Sequence, residues 1–101
     1  MNSYPKVRKA LEMFSIQLGL DLESAREMLR RSLENPIWKE QLERELLSLV
    51  EDAKAPWIEL LINQAYEVEE PDTQEDAKEI VLEILWEEVF SEPPPLAGRA
   101  G

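Results

Sequence analysis

The placement of glycine and proline constrains the fold of this 101-residue chain more than any other feature of its sequence. Glycine is absent between Gly19 and Gly98, and prolines stand at the edges of segments in which apolar residues recur at intervals of three and four. That spacing places apolar side chains on one face of an α-helix. Proline is tolerated in the first turn of a helix but disrupts its interior, so prolines at segment edges are typical of helix boundaries. The sequence therefore predicts an all-α domain.

The boundary signals predict a compact bundle of about five helices over residues 1–90. The predicted helices span about residues 5–18, 22–33, 36–53, 56–65 and 73–90. Asp21, Asn35 and Asp72 are predicted N-caps, because their side-chain oxygens can accept hydrogen bonds from the free backbone N–H groups of a first turn. The first two helices are expected to form a helical hairpin. The proline-rich residues 91–101 are expected to be a flexible, disordered tail.

The apolar face of each predicted helix indicates the core. The residues expected to face inward in the first three helices are Val7, Ala10, Leu11, Phe14, Ala25, Met28, Leu29, Leu33, Leu42, Leu46, Leu49 and Val50, together with Ile37 or Trp38. The short fourth helix is expected to run through Trp57, Ile58, Leu61, Ile62 and Ala65. Trp38 and Trp57 stand near helix starts and are expected to be buried or partly buried.

Neither cysteine nor histidine occurs in the chain, and no glycine-rich loop that could hold a phosphate is present. The usual general bases, activated nucleophiles and zinc ligands are therefore missing, and we expect no enzyme activity, no metal site and no cofactor. The first twenty residues lack the apolar stretch of a signal peptide, so we expect a cytoplasmic protein without membrane contact. The net charge of −11 repels phosphates, which argues against direct nucleic-acid binding.

Almost all of that net charge lies in one segment, residues 67–92. The segment contains eleven acidic residues and a single cation, Lys78, so its own charge is −10. Like charges one helical turn apart destabilise a helix by roughly 0.2–0.5 kcal/mol per pair, and no lysines are interleaved here to relieve them. The segment therefore indicates a surface for a basic partner. The alternative is a solubilising acidic face, which is the more common case among helical proteins.

A projection of the fifth predicted helix separates an apolar face from an acidic one. The apolar face holds Ala77, Ile80, Val81, Ile84 and Leu85, and the acidic stripe holds Glu75, Glu79, Glu83 and Glu87. Trp86 projects toward the acidic side, so it is either a core residue, which we favour, or an exposed interface anchor. The candidate partner-binding residues are Glu67, Glu69, Glu70, Asp72, Glu75, Asp76, Glu79, Glu83, Trp86 and Glu87.

The order of several short segments resembles that of bacterial toxin-immunity proteins. These segments are Tyr4-Pro5, Phe14 with Leu20-Asp21-Leu22, residues 25–33, residues 42–50, the short helix with Trp57, and the acidic link Tyr66-Glu67-Val68-Glu69. The resemblance covers about residues 4–90 and is to the small helical immunity proteins of contact-dependent growth inhibition systems, and more distantly to those of nuclease colicins.

This resemblance implies a cytoplasmic antitoxin that binds one cognate toxin domain, commonly a nuclease, and occludes its active site. The inhibitor is expected to be a monomer when free and a heterodimer with its toxin. An acidic helix suits that role, because a nuclease attracts phosphate and so presents a basic cleft.

A structural subunit without a toxin partner is the alternative function. In this interpretation the apolar side chains of the fifth helix that do not fit its core face pack against a second copy of the chain. These side chains are Leu82, Trp86, Val89 and Phe90.

Overall fold

The computed structural model describes residues 4–92, which form five α-helices and one short 3₁₀ helix. The helices are α1 (Pro5–Glu12), the 3₁₀ helix (Ile16–Leu18), α2 (Leu22–Leu33), α3 (Pro36–Glu51), α4 (Trp57–Leu61) and α5 (Gln74–Phe90). The predicted all-α bundle is confirmed within these residues, which measure 32 × 31 × 27 Å. The tail predicted over residues 91–101 lies outside the described residues beyond residue 92. No helix within residues 4–92 combines the length and apolarity needed to cross a membrane.

Two of the three predicted N-caps are confirmed. Asp21 accepts a hydrogen bond from the backbone N–H of Ser24 at 2.7 Å, and Asn35 caps α3 in the same way. The prediction for α5 is wrong by one residue, because Thr73 rather than Asp72 is the cap. The extended backbone of Thr73 lets its hydroxyl accept from the N–H of Asp76 at 3.0 Å.

The first and fourth helices end earlier than predicted. α1 ends at Glu12, and the chain continues through the separate 3₁₀ helix to Gly19, whose φ of +66° is a left-handed conformation that glycine adopts at no steric cost. α4 ends because Asn63 competes for backbone groups beyond it. Its Oδ1 accepts hydrogen bonds from the N–H groups of Ala65 and Tyr66, which folds a turn where the sequence predicts further helix.

The packing of α2 differs from the predicted hairpin. α1 packs mainly on α3, α4 and α5, whereas α2 packs mainly on α3 and α5. Residues 13–21, which include the 3₁₀ helix, separate α1 from α2. Met28, expected in the core, is 42% exposed. Trp57 is buried and Trp38 half-buried, as predicted, while Ile37 points to solvent.

Two distant loops are joined beside α5. The backbone N–H of Ile16 donates to the carbonyl of Glu67 at 2.7 Å, and the N–H of Glu67 donates to Gln17 Oε1 at 2.9 Å. Val68 in turn donates to the carbonyl of Leu61 at 2.7 Å, within an isolated antiparallel bridge between Ile62 and Glu67. These bonds fix the acidic link that follows α4 against the 3₁₀ helix.

Candidate functional site

Helix α5 buries one side in the core and exposes acids on the other. Its buried residues are Ala77, Val81, Leu82, Leu85, Trp86 and Val89. The apolar face predicted from the sequence is therefore only partly right, since Ile80 and Ile84 are half-buried at its edge. α3 and α4 both pack on α5, and together they bury more of its circumference than a single apolar stripe would occupy.

Trp86 belongs to the core. Only 5% of the residue is exposed, and its ring centroid lies 4.3 Å from that of Phe90. The core interpretation is confirmed, and the indole is not an exposed anchor in the free chain. Leu82 and Val89 are buried as well, so three of the four apolar side chains that suggested a second copy are packed within one chain, and the fourth, Phe90, is half-buried against the core.

Six candidate carboxylates line a single groove of about 200 Å³ between the acidic link and the first turns of α5. We call it the acidic groove; its walls are Glu69, Glu70, Pro71, Asp72, Asp76, Glu79, Ile80 and Glu83. Residues from two separate segments therefore present their negative charge to one concave surface.

The remaining four candidates lie outside the acidic groove. Glu67 is half-buried, and its backbone is bonded into the loop pairing described above. Glu75 and Glu87 are exposed on α5 but do not line the groove, and Trp86 is buried.

Part of this acidity stabilises the fold. Asp76 lies in the first turn of α5, where the positive end of the helix dipole favours negative charge. The nearby cations Lys78 and Arg30 neutralise little of the charge in the acidic groove. Arg30 pairs with Glu88 near the other end of α5, and Lys78 Nζ lies 6.0 Å from the centre of the Trp57 ring. Within residues 4–92, the carboxylates of Glu69, Glu70 and Glu83 have neither an ion pair nor a side-chain hydrogen bond.

A second groove, of about 420 Å³, adjoins the acidic groove and shares Glu69, Ile80 and Glu83 with it. Its other walls are Phe14, Leu22, Arg26, Val68 and Ile84, and we call it the apolar groove. Sequence analysis missed this surface because its residues come from α2, α5 and two loops. Leu22 lies three and seven residues before Ala25 and Leu29, so the sequence places it on the same apolar face of α2 and gave no sign that it is exposed.

A third groove, of about 640 Å³, lies elsewhere on the surface and has both signs of charge. Its walls are Pro5, Arg8, Lys9, Glu12, Glu59, Asn63, Gln64, Ala65 and Tyr66, and we call it the mixed-charge groove. Arg8 donates two hydrogen bonds to Glu59, at 2.6 and 2.7 Å. This guanidinium holds the pKa of Glu59 below its usual value.

The three grooves offer no metal centre. Within residues 4–92, no three acidic side chains converge closely enough to hold a metal ion. The carboxylates of the acidic groove are spread along its walls, an arrangement that suits several separate cationic side chains better than one ion. No family model matches this sequence, and neither a curated protein nor a solved structure is significantly similar to it.

Proposed function

We propose that this chain is an immunity protein that binds a basic toxin domain, most suitably a nuclease, and occludes its active site. The observation that carries the proposal is the acidic groove, in which six carboxylates from the link and α5 line one surface. Three of them, Glu69, Glu70 and Glu83, are unpaired within residues 4–92, so a partner would not have to break existing ion pairs to reach them.

Unpaired carboxylates in a concavity favour binding to a basic protein for two reasons. The summed negative potential attracts cations at a distance and raises the association rate, which can reach about 10⁸–10⁹ M⁻¹s⁻¹ for charged protein pairs at low salt. A nuclease cleft must also attract phosphates, so an acidic surface can bind the same basic residues of the nuclease that hold the phosphate backbone of its substrate. Inhibition then follows from occupying the cleft.

The proposed inhibitor is a binding protein rather than an enzyme. The acidic groove has no histidine to act as a general base and no cysteine to act as a nucleophile, and Glu69, Glu70 and Glu83 are exposed to solvent. A cytoplasmic location follows from the proposal, because a nuclease toxin finds its substrate there.

The test uses the C-terminal domain encoded by the reading frame immediately upstream. We expect that domain to be basic, to degrade nucleic acid, and to lose this activity when mixed with the chain at equal molar amounts. The Glu70→Lys, Asp72→Lys, Glu83→Lys triple variant should associate at least about 100-fold more slowly at low salt, since electrostatic steering is lost.

The matched control changes the net charge by the same amount elsewhere. Glu34, Glu40 and Glu51 are exposed and line none of the three grooves, so their replacement by lysine makes the same change in net charge away from the grooves. It also removes the exposed ion pair between Glu40 and Arg44, which contributes at most a few tenths of a kcal/mol. If both triple variants slow association equally, or if the upstream domain does not bind the parent chain, the acidic groove is a solubilising face and the proposal fails.

A further inference from the structure

The apolar groove gives the proposed interface a second component. It joins the acidic groove through Glu69, Ile80 and Glu83, so one partner surface can contact both at once. Protein interfaces commonly obtain most of their affinity from a few large side chains inserted into such grooves, surrounded by a polar rim. The two grooves together have that form.

One residue that lines the apolar groove, Leu22, belongs to a short stretch of exposed apolar side chains. Leu22 is 55% exposed at the first position of α2, and Ile16, Leu18 and Leu20 immediately before it are also exposed. Among the described residues, this short stretch holds four of the seven large apolar side chains with high exposure. Its backbone is bonded to Glu67, which places the stretch beside the acidic link.

The charges around the apolar groove define the occupant. Glu69 and Glu83 stand in its wall, and four more acids continue from them along the acidic groove. Among the described residues that line these two grooves, Arg26 is the single cation. A second copy of the chain, with its charge of −11, would be repelled, as would a nucleic acid or an anionic membrane.

We propose, on the basis of the function proposed above, that the partner inserts a large apolar side chain flanked by lysine or arginine residues into the apolar groove. The apolar residue covers Leu22 and contacts Phe14, Val68 and Ile84, while the flanking cations pair with Glu69 and Glu83. The partner surface is therefore amphipathic, and the apolar contact slows dissociation while the charges speed association.

Two synthetic helical peptides of equal positive charge serve as probes. Both carry lysines on their polar face; one has a tryptophan and two leucines on the other face, and its companion has alanines there. Fluorescence anisotropy at low salt should show the tryptophan peptide binding the parent chain at least about tenfold more tightly. Leu22→Ser should abolish this preference. Leu47→Ser, at an α3 side chain that is 46% exposed and lines none of the three grooves, should preserve it.

A charge change provides a second, independent variant. Because Arg26 repels a basic occupant, Arg26→Glu should tighten binding of both peptides. In ¹⁵N-labelled protein, the tryptophan peptide should shift the backbone amide signals of Leu22, Val68 and Ile84 more than its companion does. This mapping remains informative should Leu22→Ser lower the stability of the fold.

Equal affinity for the two peptides, or equal effects of Leu22→Ser and Leu47→Ser, would overturn the inference. So would self-association of the parent chain in sedimentation runs that Leu22→Ser abolishes, because the occupant would then be a second copy. The toxin assay remains separate. If Leu22→Ser binds the upstream domain as tightly as the parent while the acidic triple variant does not, the apolar groove is unused and the proposed function still stands.

Discussion

The mixed-charge groove and the acidic groove differ in what their charges already contact. In the larger, mixed-charge groove, Arg8 and Glu59 bind each other through two hydrogen bonds and hold α1 against α4. In the smaller groove, Glu69, Glu70 and Glu83 have no such partner within residues 4–92. The two grooves therefore differ in pairing as well as in volume: Arg8 and Glu59 are used within the fold, whereas three carboxylates of the smaller groove have no partner among the described residues.

α1, beside the mixed-charge groove, and α5, beside the acidic groove, also differ in how their first turns are capped. α1 has no N-cap side chain of its own, and Glu45 from α3 replaces it by accepting hydrogen bonds from the N–H groups of Lys6 and Val7, both at 2.9 Å. Glu45 and Glu59 therefore both hold α1 in place. α5 is capped by Thr73, so the acids of the neighbouring groove are not needed for that purpose.

The largest effect that we predict tests whether α5, which forms one wall of the acidic groove, is tightly packed on the core. Trp86→Ala should lower the free energy of unfolding by about 3–5 kcal/mol, because a buried indole leaves a cavity that the core fills poorly. Trp86→Phe is the control and should cost much less, since it retains a ring and removes an indole N–H that has no hydrogen-bond partner within residues 4–92. Urea unfolding measures both. A loss of unfolding free energy below about 1 kcal/mol for the alanine variant would mean that α5 is loosely packed on the core.

The next effect tests the structural role of acids outside the acidic groove. Glu45→Ala should destabilise the fold by about 1–2 kcal/mol, because it leaves the first N–H groups of α1 without their acceptor. Glu45→Gln keeps one acceptor oxygen and should lose less. Glu70→Ala, in the acidic groove, should change stability by no more than about 0.5 kcal/mol. Equal losses at Glu45 and Glu70 would remove the distinction between the two regions.

Features set by neighbouring residues could be predicted from the sequence. Asp21 and Asn35 act within their own first turns, so a local pattern is sufficient to identify them. The choice between Asp72 and Thr73 depends on backbone angles that either residue type allows, and the prediction therefore missed by one position. The prediction also missed the end of α4. The apolar spacing after Leu61 still predicts a helix, but the hydrogen bonds to Asn63 Oδ1 fold the chain into a turn there.

Features that join distant segments could not be predicted. The charge of residues 67–92 indicated where acids concentrate, and six of the ten candidates line the acidic groove. Nothing local indicated that Leu22 and Val68 meet, because that proximity depends on the bonds between the two loops beside α5. Burial of Trp86 was favoured from its residue type, but the helices that cover it come from elsewhere in the chain and could not be identified from the sequence.

A smaller, pH-dependent effect is expected in the mixed-charge groove. The pKa of Glu59 is lowered by its hydrogen bonds to Arg8, so its ionised form is favoured in the folded state. Stability from this pair is present above the usual carboxyl pKa and is lost as the pH falls through the lower folded value. Glu59→Gln should therefore cost roughly 0.5–1 kcal/mol at neutral pH, since the carboxylate is half exposed, and this cost should shrink as the pH falls through the lowered folded pKa. Thermal unfolding across that range measures the difference, and a loss that does not depend on pH would rule out the ion pair as its cause.

The smallest effect has the opposite sign and uses the same substitution in the acidic groove. Glu83 has acids four residues away on both sides, Glu79 and Glu87, and like charges at this spacing destabilise a helix. Glu83→Gln should therefore raise the free energy of unfolding by about 0.3 kcal/mol, and the gain should shrink in 0.5 M salt because salt screens exposed charges. Since Glu59→Gln replaces the same group, the pair compares one chemical change in two surroundings. A loss of stability at Glu83 would show that its carboxylate is already used by the fold, and the contrast between the two grooves would no longer support a partner for the acidic one.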